Sequence, residues 1–415
     1  MRQRKPLRCR RDRRGSIYVL TLATAMLVTV FALASILLVR VQRRQLDAAT
    51  ETLQAELLAS RAVDMALFRI EHEAIWRSQL AGGAWESDQN AAAGTYSFAA
   101  ADPTDADLTD SDADPVVVVG IGKCGQSRQK VQVRLEVEEV PLGCLEVALH
   151  TGGNVTFSSA TVACDQIICA DGVMTASLST INSDVEAVGT ITGTGYTGTI
   201  TTGVDARSMP DPDTVLEYYL ANGTVISMAS IPTVEGVRTI SAVLLSPTSN
   251  PYGAQINPQG IYVIDCLGSR LDIRDCRVVG TIVLLNLAVS SQVYGSLNWQ
   301  PAVAGYPSLM VKGTLSIATD AAMLDEATLG VDFNGDSDMA DAYPSVFKGL
   351  VCTSAALNTS NACTFEGILC VGLGLNCTGS LFLEYDTEIF ENPPPGFTEI
   401  IGMKVAPGTW QRAVD

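Results

Sequence analysis

The sequence predicts a mainly β protein. An N-terminal transmembrane and stalk helix leads to a small antiparallel β module and then to a single-stranded parallel β-helix, or solenoid, right-handed by default. Three observations carry this. FKGLVCTSAALN (residues 347–358) returns eighteen residues later as FEGILCVGLGLN (365–376), with Phe347/Phe365, Gly349/Gly367, Cys352/Cys370 and Asn358/Asn376 in step. Glycine reaches 35 of 415 residues while aromatics are only 6%, a composition of tight turns rather than of a large helical core. Residues 16–39 form a run of 24 without a charge.

The chain begins with a basic leader, residues 1–15. Residues 1–44 hold eleven Lys or Arg against Asp12 alone, so this end carries +10 and the remainder −28 of a net −18. A basic head can signal nucleic acid, but the apolar run after it makes the charge a topology signal, and no nucleic-acid partner is expected. At 1.5 Å per residue the helix over 16–39 spans about 36 Å, enough for a hydrocarbon core of roughly 30 Å. The positive-inside bias puts residues 1–15 in the cytoplasm, predicting a single-pass inner-membrane protein with a periplasmic or extracellular ectodomain. A signal peptide is the competing reading; the run is long for one, and no small-residue cleavage site precedes Arg40.

Residues 40–80 read as a stalk. Leu46, Leu53, Leu57, Met65, Leu67 and Ile70 recur among charged residues, and neither proline nor glycine occurs between Gly15 and Leu80. A continuous helix over 16–78, about 95 Å long, is expected. Either it packs on the domain behind it, or Ala48, Ala49, Ala55, Ala59, Ala62 and Ala66 let it bundle with like helices. The sequence leaves both open.

Here a family resemblance enters. The leader ending Arg13, Arg14, Gly15, Ser16, the apolar run, and LLASRAVDMALFRIEHE (57–73) resemble PilX-type and GspK-type minor pseudopilins of the type IV pilus and type II secretion families. The resemblance covers about 80 residues. It implies cleavage between Gly15 and Ser16 by a dedicated peptidase, with the lipid bilayer and other pilin helices as partners. The glutamate common five residues into mature pilins is replaced by Leu20, a departure shared by the PilX and GspK types.

Residues 81–140 form the small module. Tyr96, Phe98 and Ala100 alternate with polar neighbours, residues 116–119 are all valine, and Val131, Val133, Leu135 and Val137 alternate with Gln132, Arg134, Glu136 and Glu138. Between them Asp102, Asp105, Asp107, Asp110, Asp112 and Asp114 make either a solvated loop or a gathering of oxygen ligands for calcium.

Residues 141–390 are read as the solenoid. A weaker echo sets Val155 with Val173, Ser159 with Ser177 and Ile167 with Val185, and Gly295 with Gly313 repeats the interval. One coil cannot bury its own apolar face, so coils stack, and an eighteen-residue coil suits three faces of about six residues each. A β-sandwich with coincidental glycine spacing is the rival. Met209, Pro210, Asp211, Pro212 and Asp213 before TVLEYYLANG predict a short capped helix that closes one set of coils. Residues 391–415, with NPPPGF at 392–397, would form a C-terminal cap or strap.

Ten of the eleven cysteines fall on the exported side, Cys9 being in the leader. An even number there suggests disulfides, with Cys352 and Cys370 the first expected pair, then Cys363 with Cys377 and Cys266 with Cys276. Buried thiols acting as small core residues are the other reading. Asp332, Asn334, Asp336 and Asp338 match the opening of a calcium loop, although Ser337 and Tyr343 stand where an EF-hand needs glycine and a carboxylate. No other cofactor is expected.

With only His72 and His150 in the chain, histidine-based catalysis has little raw material. Asp265, Asp272, Arg274, Asp275 and Arg277 are the one cluster comparable to a polysaccharide-cleaving β-helix, and the −28 surface would repel a polyanion. The expected function is non-enzymatic: an assembly component like a minor pseudopilin. The alternative is a surface adhesin or glycan-binding solenoid with an unidentified glycan or protein ligand.

Overall fold

The computed structural model describes residues 14–413 except Ala84. They form two compact units, residues 14–138 with 400–413, and residues 139–399.

In the first unit the helix Arg14–His72 runs for 59 residues. It stops six residues short of expectation without a proline or glycine. Trp76 and Leu80, 8% and 2% exposed, turn into the core beneath the sheet, and burying these large side chains outweighs another turn of exposed helix. The sheet is antiparallel, Gln89–Ala91, Gly94–Ala101, Val116–Cys124 and Ser127–Pro141 in order, extended by Thr398–Val405, with Gln411–Arg412 also paired to Ser127–Pro141. The C-terminal stretch is thus partly strand in this sheet rather than a strap alone. Val131, Val133 and Leu135 point inward as their alternation predicts.

Ala55, Ala59, Ala62 and Ala66 are fully buried against the same sheet. Of the two stalk readings, these alanines serve the first: they let the helix backbone approach its own domain. Gly122 completes the approach, because a Cβ there would lie 2.0 Å from the Ala55 carbonyl oxygen and 2.4 Å from the Ala59 nitrogen.

The second unit is a three-faced parallel solenoid. Face I stacks Thr224–Val225, Ile261–Asp265, Thr281–Leu285, Pro307–Lys312, Val346–Thr353, Ala362–Val371, Leu149–Thr151, Ile168–Ala170, Val185–Ala187 and Ile200–Thr202. Faces II and III follow the same coil order. The spatial order is therefore not the sequence order. The first coils, from residue 149, stack on the last ones, ending at residue 384, and the chain reaches the far end of the stack through the helix Thr214–Asn222.

The eighteen-residue echo is literal register: Phe347 pairs Phe365, Cys352 pairs Cys370 and Asn358 pairs Asn376. Both strands bend from face III to face I at a glycine with positive φ, Gly349 (85°) and Gly367 (151°). At Gly367 a Cβ would stand 2.1 Å from the Gly349 carbonyl oxygen. Trp299, Phe347 and Phe365 stack along the interior with ring centroids 5.4 and 5.2 Å apart.

The weaker echo is displaced by one residue. Val155 pairs Met174, Ser158 pairs Ser177 and Ile168 pairs Val185, so adjacent coils are offset by nineteen and then seventeen. Side chains alternate in and out, and the eighteen-residue register would have turned Val173 inward; it is 38% exposed while Met174 is buried. Gly295 pairs Thr319 rather than Gly313.

Candidate functional site

Residues 17–39 of the long helix are exposed throughout, with large apolar side chains such as Tyr18, Leu27, Phe31 and Leu37 bare. Its hydroxyls do not interrupt that surface. Thr21 donates to the Ile17 carbonyl, Thr24 to Leu20 and Ser35 to Phe31, each within the helix. It is the one helix among the described residues long and apolar enough to cross a membrane. Gly15 and Ser16 lie in its first turn; residues 1–13, including Cys9, lie outside the described residues.

Below the apolar run the helix has two sides. The alanine side is spent on its own sheet, and Arg412 pairs with Glu56 there. The other side leaves Leu46, Leu53, Leu57 and Phe68 exposed. Spacings of seven, four and eleven residues bring these four to one stripe at about 100° per residue.

On the solenoid, face I is apolar outward as well as inward. Val263, Val283, Met310, Cys352 and Cys370 form its outer column, covered by Val215, Leu216 and Tyr219 of the helix Thr214–Asn222 and by Leu142, Cys144 and Leu145. A cleft of about 230 Å³ remains beside Met209, Val215, Cys352 and Leu373. The column continues from Cys370 through His150 to Cys169. His150 is fully enclosed, with Nε2 3.4 Å from Asp171 Oδ2 and neither ring nitrogen hydrogen-bonded among the described residues. Face II carries a polar outer column instead: Gln292, Ser316, Asn358, Asn376, Thr156, Thr175 and Thr192, in register. Asn376 Nδ2 donates to Asn358 Oδ1 at 3.1 Å.

All ten described cysteines are free thiols. Cys352 and Cys370 are brought into register and share one buried cluster with Cys144, a residue outside the expected pairs. Only the fold brings Cys144 near them, since no periodicity links residue 144 to 352 or 370. The Cys144 and Cys352 thiols, with burial, push the Cys370 thiol well up. Cys363 and Cys377, and likewise Cys266 and Cys276, lie in the inner core. Burial pushes Cys266 up to about 12.

Of the residues of the catalytic rival, Arg274 and Asp275 lie 3.7 Å apart, and the others are engaged by separate partners. Asp272 is held bidentately by Arg270, Asp265 accepts from Asn286, Asp275 accepts the Ser296 amide, and Arg277 donates to the Phe333 carbonyl beneath the Tyr343 ring. Arg274 lies over Tyr294. Asp332, Asn334, Asp336 and Asp338 do come together in one exposed loop. Both Asp332 oxygens accept backbone amides, from Gly335 and Ser337 among others, and Asn334 Nδ2 bridges Asp336 and Asp341. Those amide bonds hold the Asp332 carboxyl below its usual range. In the small module Asp102, Asp105 and Asp110 converge, each with a carboxylate oxygen within 4.8 Å of the others.

No protein-family model matches the chain, and no curated protein sequence does. Among solved structures it is similar to the competence-associated pilin ComZ from Thermus thermophilus, at 12% identity and a TM-score of 0.26 over 88% of this chain and 98% of that one. It is also similar to an ice binding protein from an Antarctic biological consortium, at 14% identity and a TM-score of 0.22 over 61% of this chain and 93% of that one. Both likenesses are weak, and the chain's own residues carry the functional reading.

Proposed function

We propose that this chain is a membrane-anchored, non-enzymatic assembly component, like the minor pseudopilins of type IV pilus or type II secretion systems. The anchor sits in the inner membrane with the leader cytoplasmic, and the solenoid stands outside the cytoplasm as a surface for a protein or other ligand. One observation carries the reading: an apolar helical segment bare on every side runs without a break into a helix whose outer stripe, Leu46, Leu53, Leu57 and Phe68, is also bare. A lipid core covers the first part; like helices from neighbouring subunits cover the second. The leader motif around Gly15 and Ser16 supports the same assignment.

The test is processing and partnership. In the native host, Gly15→Ala should leave an unprocessed, larger protein, and the wild-type chain should co-purify with pilin or secretion subunits from solubilised membranes. Unchanged size in Gly15→Ala together with no such subunits in the purified fraction would refute the assignment. The in-register Asn, Ser and Thr column on face II favours a second reading, a solenoid that binds a repetitive glycan surface. Glycan retention by the purified chain, without pilin subunits, would select it.

A further inference from the structure

We propose that the loop between Gly94–Ala101 and Val116–Cys124 holds one calcium ion on Asp102, Asp105 and Asp110. Their carboxylate oxygens lie within 4.8 Å of one another, and none of the three has an ion pair among the described residues. The observation that points to a ligand is Asp102 itself. It is 4% exposed; Oδ1 accepts the Thr104 amide at 2.5 Å, while Oδ2 is buried with no hydrogen-bond partner among the described residues. A buried carboxylate oxygen without a donor is costly, and two further carboxylates beside it add repulsion. A cation between them removes both penalties.

The rest of the loop is arranged to leave these oxygens free. Asp105 Oδ1 accepts the Asp107 amide, so its second oxygen is available. The local guanidinium, Arg77, is committed elsewhere: it donates to the carbonyls of Leu108, Asp112 and Asp114, and its Nε lies 3.4 Å from Asp112 Oδ1. Leu108 is fully buried, which pins the loop between Asp105 and Asp110. Asp105 and Asp110 are exposed, so an ion enters from water and completes its shell with water and backbone carbonyls.

The donor set selects the ion. Only carboxylate oxygens converge, which suits a hard cation and not zinc or copper. Calcium takes about six to eight oxygens in flexible geometry, whereas magnesium demands a near-ideal octahedron and gives up its water reluctantly, so three carboxylates on an irregular loop suit calcium better.

The full chain in detergent micelles, stripped with a chelator and titrated with calcium chloride, tests this. Calorimetry should show one ion bound per chain, and calcium should raise the melting temperature more than magnesium does. Asp105→Asn and Asp110→Asn, both at exposed positions, should weaken calcium binding at least tenfold. Asp336→Ala should leave it unchanged. Asp102→Asn should melt no lower than wild type in chelator, since it removes a charge that is unbalanced without the metal, and should gain nothing from calcium. No binding heat, binding that survives Asp110→Asn, or binding lost in Asp336→Ala would each overturn the site. A fall in melting temperature for Asp102→Asn in chelator would do the same, by making Asp102 part of the loop's metal-free structure.

Discussion

His150 shows what a single enclosed side chain does to the behaviour of the protein. It stands in the face I ladder between Cys370 and Cys169, with Asp171 3.4 Å from Nε2 and Arg207 nearby. Burial holds its pKa below the ordinary value, against Asp171, which raises it, and with Arg207, which lowers it. The imidazole is therefore neutral in the fold where the unfolded chain would take up a proton near pH 6.5. The unfolded state binds more protons below that pH, so stability falls as the pH falls, by at most about 1.4 kcal/mol per unit for one group. Urea unfolding at pH 7.5 and pH 5.5 should show a loss of stability for wild type that is smaller in His150→Gln. The other histidine, His72, is exposed on the long helix, so the same slope in both proteins would show that His150 is not its source. Nothing in the sequence marked His150 for this role, because its neighbours Cys370, Cys169 and Asp171 meet it only across coils.

At the scale of a strand, one position tells inside from outside. Phe365 is 1% exposed, stacked on Phe347 and in register with Leu383; Phe382, one residue earlier on that adjacent strand, faces out at 46% exposure. Phe365→Ala should cost about 3–5 kcal/mol through lost burial and a cavity, while Phe382→Ala should stay within about 0.5 kcal/mol. Denaturant midpoints decide it, and equal losses would mean that this register is wrong. The register was legible in the sequence because the coil from 347 and the coil from 365 have the same corner, Gly349 and Gly367, and the same length. At 155–174 the true register departs by one residue from the eighteen-residue spacing, where Ser159 and Leu178 take positive φ without being glycine, so no residue type announces those corners. The stalk alanines were legible as a close-packing face, but their partner was not, since Gly122 lies on a distant strand.

For the whole molecule, periodicity fixes how long a coil is and says nothing about which coil it lies on. Each coil touches only its two neighbours, so the least protected coils of a solenoid are those at the ends of the stack. If the stack followed the sequence, those would be the coil at 149–164 and the coil at 368–384. Here these two lie against each other in the middle: Leu149 pairs Leu369 on one side and Ile168 on the other. The ends are instead sequence-internal. At one, Ile200–Thr202 is exposed along its length; at the other, Thr224–Val225 and Val237–Ser241 have a coil on one side only, the far edge of Val237–Ser241 being covered by just the two-residue antiparallel strand Thr233–Val234. Native-state hydrogen exchange should therefore be fastest at 191–202 and 224–245, and slowest at 149–157 and 362–377. The sites joining the first and last coils should exchange only with global unfolding, because opening them separates the stack into two pieces. Fast exchange at 149–157 together with protection at 200–202 would restore the sequential stack and remove the rearranged one.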